Sequence, residues 1–141
     1  DPYFATGQVI LVRKGTTDIK QPSDLKGKVV AVQIGTTGQF AAEKIKGVKR
    51  IDTYNTTPEA FLALKMKKAD AVVADELVVL EEQKANPGLL EIVGKPFTVE
   101  YYGIAVKKGN SALLRQINRA LAQIKADGTY DAIYDKWFGT K

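Results

Sequence analysis

Cysteine and histidine are both absent from the 141 residues of this chain, and methionine and tryptophan occur once each. The absence of cysteine excludes disulfide bonds and thiolate metal ligands. The absence of histidine removes the most common general base and the most common metal ligand, so catalysis would depend on carboxylates, lysine or tyrosine. No apolar run approaches the ~18 residues needed to span a bilayer. The sequence therefore predicts no metal or other cofactor and argues against an enzyme.

The composition that remains is that of an ordinary globular protein. Hydrophobic residues make up 45% and charged residues 26% of the chain, which excludes disorder and coiled coil. The length suits one domain with its own core. Because neither a start methionine nor a signal peptide is present, we expect a mature or excised piece.

The net charge of +5 comes from 21 basic and 16 acidic residues. The lysines are scattered singly or in pairs such as Lys107 and Lys108, and acidic residues lie between them. A solvated surface is favoured over a nucleic-acid footprint, since no run of five basic residues and no basic stripe with aromatics occurs. We expect no nucleic-acid partner.

Short apolar runs alternate with amphipathic segments along the chain. Predicted strands are Gln8–Lys14, Lys28–Gln33, Val48–Tyr54, Ala69–Ala74, Leu90–Val93 and Val99–Lys107. Predicted helices run from about Gln39 to Lys46, from a cap at Thr57, from after Asp75 to about Ala85, and from Ser111 to Lys125. The turn Asp127-Gly128-Thr129 separates the fourth of these helices from a last one that carries Ile133, Tyr134, Trp137 and Phe138. This order predicts an α/β fold, a three-layer sheet with a mostly parallel core and a C-terminal helical hairpin outside it.

Two predicted strands end in polar groups, and ligands of open α/β sheets lie at such ends. Gln33 is followed by the turn Gly35-Thr36-Thr37-Gly38 at a helix start, where free N–H groups favour an anion such as a carboxylate. The alternative is a plain helix cap with a glycine turn. The turn lacks the spacing of a phosphate loop.

Asp75 directly follows the buried-type run that ends at Ala74. Its carboxylate is able to accept from an ammonium group, and the alternative is that it only caps the next helix. Together the two strand ends predict a site for a zwitterion, with N–H groups for the carboxylate and Asp75 for the ammonium.

Segments across the whole chain resemble the amino-acid-binding, periplasmic-type solute-binding proteins of ABC importers. The resembling segments are Asp1–Phe4, Gly7–Val12, Asp24–Gln33, Gly35–Gly38, Ala69–Asp75, Tyr101–Val106, Gly128–Tyr130 and Tyr134–Gly139. Such proteins have two α/β lobes of the type II periplasmic-binding-protein fold, joined by two hinge strands. The resemblance implies that residues 1–107 are the second, ligand-binding lobe, with hinge strands at about 8–12 and 102–106. Residues 108–141 would be helices that pack on an absent first lobe.

The resemblance also implies a function and assigns residues to it. It places the ligand carboxylate near the backbone N–H and hydroxyl of Thr37, with Thr36 and Gly35 shaping the turn. Asp75 takes the α-ammonium position, and Gln33 lies where the ligand side chain is read. The expected ligand is a polar or basic amino acid, arginine or glutamine first, bound weakly by this lobe alone. The expected partner is the membrane permease of an ABC importer, and the expected location is periplasmic or extracytoplasmic, the parent protein being lipid-anchored or secreted.

Two other functions stay open at this point. An enzyme on the same scaffold would have Asp75, Glu76 or Glu100 as its acid or base, none of them with an evident partner. A half-protein scaffold would act by oligomerisation. Apolar residues of the two C-terminal helices, among them Leu113, Ile133 and Trp137, favour a homodimer through surfaces that the absent lobe leaves bare.

Overall fold

The chain forms two compact units in a computed structural model that describes residues 1–138. One unit runs from Thr6 to Glu100, and the other combines residues 1–5 with the segment from Tyr101 onward. The strands are β1 Pro2–Thr6, β2 Gln8–Arg13, β3 Val29–Gln33, β4 Arg50–Tyr54, β5 Ala71–Asp75, β6 Leu90–Val93 and β7 Glu100–Gly103. The helices are α1 Thr37–Glu43, α2 Thr57–Lys65, α3 Glu76–Ala85, α4 Ser111–Ala126 and α5 Thr129–Phe138, with a 3₁₀ turn at Pro22–Leu25.

Five strands form one sheet in the order β4-β3-β5-β2-β6. Strand β3 runs parallel to β4 and β5, whereas β2 is antiparallel to β5 and β6. Four of the five strands therefore share one direction. The predicted α/β fold with a mostly parallel sheet is confirmed, and β2 is its antiparallel member.

Strand β2 is buried on both faces, so the sheet lies between two helical layers. Val9 and Leu11 pack in a cluster with Phe61 and Leu64 of α2 and with Val79 of α3. The opposite face, with Ile10 and Val12, packs against α1 and the 3₁₀ turn. Full burial of one such aliphatic side chain contributes roughly 1.5–3 kcal/mol, which explains why these runs are continuously apolar.

The last predicted strand is shorter than expected, and the first observed strand was not predicted. Only Glu100–Gly103 of the predicted Val99–Lys107 is extended in a ladder, because its partner is the five-residue β1 in a separate two-stranded sheet. Residues beyond Gly103 have strand-type side chains but no neighbouring strand. The β1 segment has no apolar alternation that would mark it as a strand.

The compact units meet after residue 5 and after Glu100, and the boundary after Lys107 stays a prediction. Residues 1–5 group with the C-terminal segment because β1 pairs with β7. The segment Gln8–Val12, expected to be a hinge, lies inside the five-stranded sheet as part of β2. The chain passes between the units at residues 5–6 and 100–101.

Helix α4 begins at Ser111 as predicted, and α5 already begins at Thr129, which was expected to lie in the separating turn. The side chain of Asn110 caps α4 by accepting a hydrogen bond from the Leu113 N–H at 3.2 Å. No residue of α4 or α5 within the described chain is buried, and Trp137 is 63% exposed. In the same unit, the Phe4 ring stacks on Tyr134 with 5.9 Å between centroids. Gly139, at the end of the resembling segments, lies outside the described residues.

Candidate ligand-binding site

The carboxyl ends of β3 and β5 lie at the same edge of the sheet, because the two strands are adjacent and parallel. A cavity of about 160 Å³ lies at this edge. Its lining residues are Gln8, Gln33, Thr36, Thr37, Gly38, Thr57, Val73, Ala74, Asp75 and Val78. The structure thus brings together Gln33, Thr36, Thr37 and Asp75 of the predicted site, whereas Gly35 is not among the lining residues.

The turn between β3 and α1 is built by one glycine and one threonine. Gly35 has a φ of +72°, the left-handed region that favours glycine. Thr36 is the N-cap of α1: its hydroxyl accepts from the Gln39 N–H and donates to the Gln33 carbonyl at 2.8 Å. The helix begins at Thr37, two residues earlier than predicted. Thr36 therefore fits the plain-cap interpretation, and the N–H groups of the first turn begin at Thr37, where a helix offers no internal acceptor.

Thr37 contacts two residues that sequence reasoning did not assign to the site. Its hydroxyl donates to Oε2 of Glu100 at 2.8 Å and accepts from Nε2 of Gln8 at 3.2 Å. The same Gln8 nitrogen donates to Oε1 of Glu100 at 2.9 Å. Gln8 is only 2% exposed. The one sequence signal for Gln8 is that a side-chain amide stands at the first position of a strand that is apolar from Val9 to Val12.

Gln33 is held by the turn before α2. Its Oε1 accepts from the Thr57 hydroxyl at 2.6 Å, and its Nε2 donates to the Asn55 carbonyl at 3.2 Å. The expected helix cap at Thr57 is wrong by one residue: Thr56 caps α2, in a capping box with Glu59. Thr57 is instead the first residue of the helix, and its hydroxyl orients the Gln33 amide.

Asp75 ends β5 and caps α3. Its Oδ1 accepts from the Leu77 N–H at 3.0 Å and from the Thr6 hydroxyl at 3.4 Å. The capping interpretation of Asp75 is thus part of the structure. A carboxylate has two oxygens and about four acceptor directions, so the bond to the Leu77 N–H uses only part of its accepting capacity.

Burial raises the pKa of Glu76 above its ordinary value, and the adjacent negative charge of Asp75 raises it further. Glu76 does not line the cavity. The folded chain therefore holds the Glu76 proton more tightly than the unfolded chain does. Stability linked to this group is present below the unfolded pKa of about 4.3 and is lost as pH rises through the folded value.

We expect Glu76→Gln to be more stable than the parent at pH 7, because the variant removes a charge that folding disfavours. The difference disappears at pH 3, where the parent carboxyl is protonated. Urea denaturation at the two pH values measures this effect. Glu81→Gln, an exposed position of the same helix, is the matched control. Lower stability of the Glu76→Gln variant at pH 7 would contradict the assignment.

Within residues 1–138, no three His, Cys, Asp or Glu side chains are grouped so that they could hold a metal ion. None of the helices described there is both long and apolar enough to cross a membrane.

Comparison with known proteins places the chain in a family. The model of the bacterial extracellular solute-binding proteins, family 3, matches residues 1–140. This chain belongs to that family. The predicted resemblance is therefore confirmed. Family 3 and the relatives described below consist of solute-binding proteins, so the alternative of an enzyme on this scaffold is not supported.

Individual family 3 relatives bind amino acids, as their names state. The chain is 45% identical over 139 residues to the ABC transporter glutamine-binding protein GlnH of Bacillus subtilis, covering 97% of the chain and 50% of that protein. It is 40% identical over 142 residues to the ABC transporter arginine-binding protein 1 of Escherichia coli, covering 97% of the chain and 57% of that protein. An ancestral arginine-binding protein solved with bound glutamine superposes with a TM-score of 0.83 at 50% identity, covering 99% of the chain and 63% of that structure. The chain thus spans about half the length of the curated relatives it matches.

Proposed function

We propose that this chain binds a free amino acid by its α-carboxylate and α-ammonium groups, as part of the solute-binding component of an ABC importer outside the cytoplasm. The observation that carries the proposal is the convergence of the α1 first turn and Asp75 on one cavity. The relatives' names, which include glutamine- and arginine-binding proteins of ABC transporters, support the ligand class and the permease as partner.

The two ends of the cavity have opposite electrostatic character. The N–H groups at the start of α1 carry the positive end of the helix dipole and suit a carboxylate. Asp75 supplies a half-buried negative charge for an ammonium group, and hydrogen bonds between charged groups are about twice as strong as neutral ones. The Gln33 amide, with a donor and an acceptor, lies beside this zwitterion site and suits a polar or basic side chain.

The cavity is small for a complete ligand site. Its volume of about 160 Å³ lies below the roughly 300–1,000 Å³ of pockets that enclose most of a small molecule. This lobe surface would contact the backbone groups of an amino acid from one side. We therefore expect weak binding by the 141-residue chain alone.

Arginine is expected to bind best and glutamine second in a panel of the twenty amino acids, because Gln33 offers both hydrogen-bonding polarities at the side-chain end. Calorimetric titration and competition at millimolar ligand measure the order. Agmatine, which has the arginine side chain and amine without the carboxylate, is the matched control and should bind far less. A panel in which aspartate or leucine outcompetes both arginine and glutamine would contradict the preference.

We also propose that the chain dimerises through α4 and α5. The supporting observation is that Leu113, Leu114, Ile133 and Trp137 of these two helices are each 41% to 63% exposed, and exposed apolar patches mark interaction surfaces. Light scattering at high micromolar concentration should give about twice the chain mass of 15.4 kDa. A single-chain mass without binding of a dye specific for apolar surface would refute the dimer.

A further inference from the structure

The hydroxyl of Thr37 has one hydrogen, and the structure shows where that hydrogen goes. Thr37 Oγ1 lies 2.8 Å from Oε2 of Glu100. An ionised carboxylate only accepts, so the hydroxyl must donate to it. The remaining close contact of Oγ1 is the N–H of Gln8 at 3.2 Å, which the hydroxyl accepts.

We infer that Glu100 determines which group of Thr37 binds a ligand carboxylate. Because the Thr37 hydroxyl donates its hydrogen to Glu100, Thr37 recognises a carboxylate through its backbone N–H and not through its side chain. Glu100 thereby limits the affinity of the carboxylate end. This inference rests on the proposed amino-acid function and adds a residue to it that sequence reasoning considered only as a possible acid or base.

The carboxylate of Glu100 is fixed in place by its neighbours. Its Oε1 accepts from Gln8 Nε2 at 2.9 Å and from the Thr98 hydroxyl at 3.1 Å, while Oε2 accepts from Thr37. Gln8 is itself buried, and its backbone N–H donates to the Thr98 hydroxyl at 2.8 Å. Glu100 therefore keeps its contact with Thr37 next to the first turn of α1.

The variant Glu100→Gln changes this arrangement in one defined way. Gln8 Nε2 and the Thr98 hydroxyl both donate to Oε1 of Glu100, so the amide oxygen of the new glutamine occupies the Oε1 position. The amide nitrogen then takes the Oε2 position and donates to Thr37. The Thr37 hydroxyl becomes free to donate to a ligand carboxylate, and a like charge is removed from the site.

The test measures binding of L-arginine and of L-argininamide, which lacks the carboxylate charge, to the parent chain, Glu100→Gln, Thr37→Val and the double variant. We expect Glu100→Gln to bind L-arginine about tenfold more tightly, the effect of one added hydrogen bond to a charged group. L-argininamide should change less than about twofold. Thr37→Val should remove most of the gain, so that the double variant binds L-arginine about as tightly as Thr37→Val alone.

Weaker binding of both probes by Glu100→Gln would overturn the inference, since a purely structural role predicts that result. A gain that persists in the double variant would also overturn it. Failure of the parent chain to bind L-arginine would instead count against the proposed function. In that case the urea denaturation midpoints of the four ligand-free proteins test the contact between Thr37 and Glu100. Introducing Thr37→Val into the parent should lower the midpoint at least twice as much as introducing it into the Glu100→Gln variant. Equal decreases would show that the Thr37 hydroxyl does not depend on Glu100.

Discussion

Replacement of Asp75 by alanine should weaken the binding of L-arginine or L-glutamine by about ten- to a hundredfold. Asp75 supplies the negative charge at the ammonium end of the cavity, and loss of a hydrogen bond to a charged group corresponds to roughly 1.5–3 kcal/mol. Calorimetric titration of the 141-residue chain, and of a version completed with the remaining family segment, measures the change.

Asp75→Asn separates the ligand role from the capping role. Asparagine caps helices about as well as aspartate, so this variant should keep the stability that Asp75 contributes at the start of α3 and still lose affinity. Alanine should lose both. Thr37→Ala should reduce affinity much less than either Asp75 variant, because the backbone N–H remains. Parental affinity in the Asp75→Asn and Asp75→Ala variants would show that the ammonium end is assigned wrongly.

Gly7→Ala should destabilise the unit that carries the site by about 1–3 kcal/mol or more, as overpacking of a close contact does. A Cβ at Gly7 would lie 2.1 Å from the Thr98 carbonyl oxygen and 2.9 Å from Pro96 Cβ, so the backbone must move. Movement of this segment also displaces Thr98 from Gln8, to which it is hydrogen-bonded. Urea denaturation and ligand titration of the variant should therefore both show a loss.

Gly103→Ala is the matched control for the glycine prediction. A Cβ at Gly103 meets no atom within 4 Å, and the residue does not have a positive φ. We expect its stability to lie close to that of the parent. Equal stability of the Gly7 and Gly103 variants would show that the approach of Thr98 to Gly7 is not a structural requirement.

Local patterns predicted most of the elements that position the site. The strands that end at Gln33 and near Asp75 are recognisable because they are short apolar runs, and the helices after them follow capping residues within four positions. The observed starts of α1 and α2 differ from the predicted ones by one or two residues, because two neighbouring threonines at each turn are both able to act as the N-cap. At both turns the first threonine of the pair, Thr36 or Thr56, caps the helix.

By itself, the sequence determined the α/β class, the family, and the two polar strand ends of the site, because each depends on residues close together in the chain. Only the tertiary structure decided that β2 lies antiparallel between β5 and β6, which sets Gln8 opposite Asp75. It also brought Glu100 to Thr37, 63 residues away, and paired β1 with β7. Strand order and long-range hydrogen bonds arise from the burial of both sheet faces at once, and no short window of sequence contains that information.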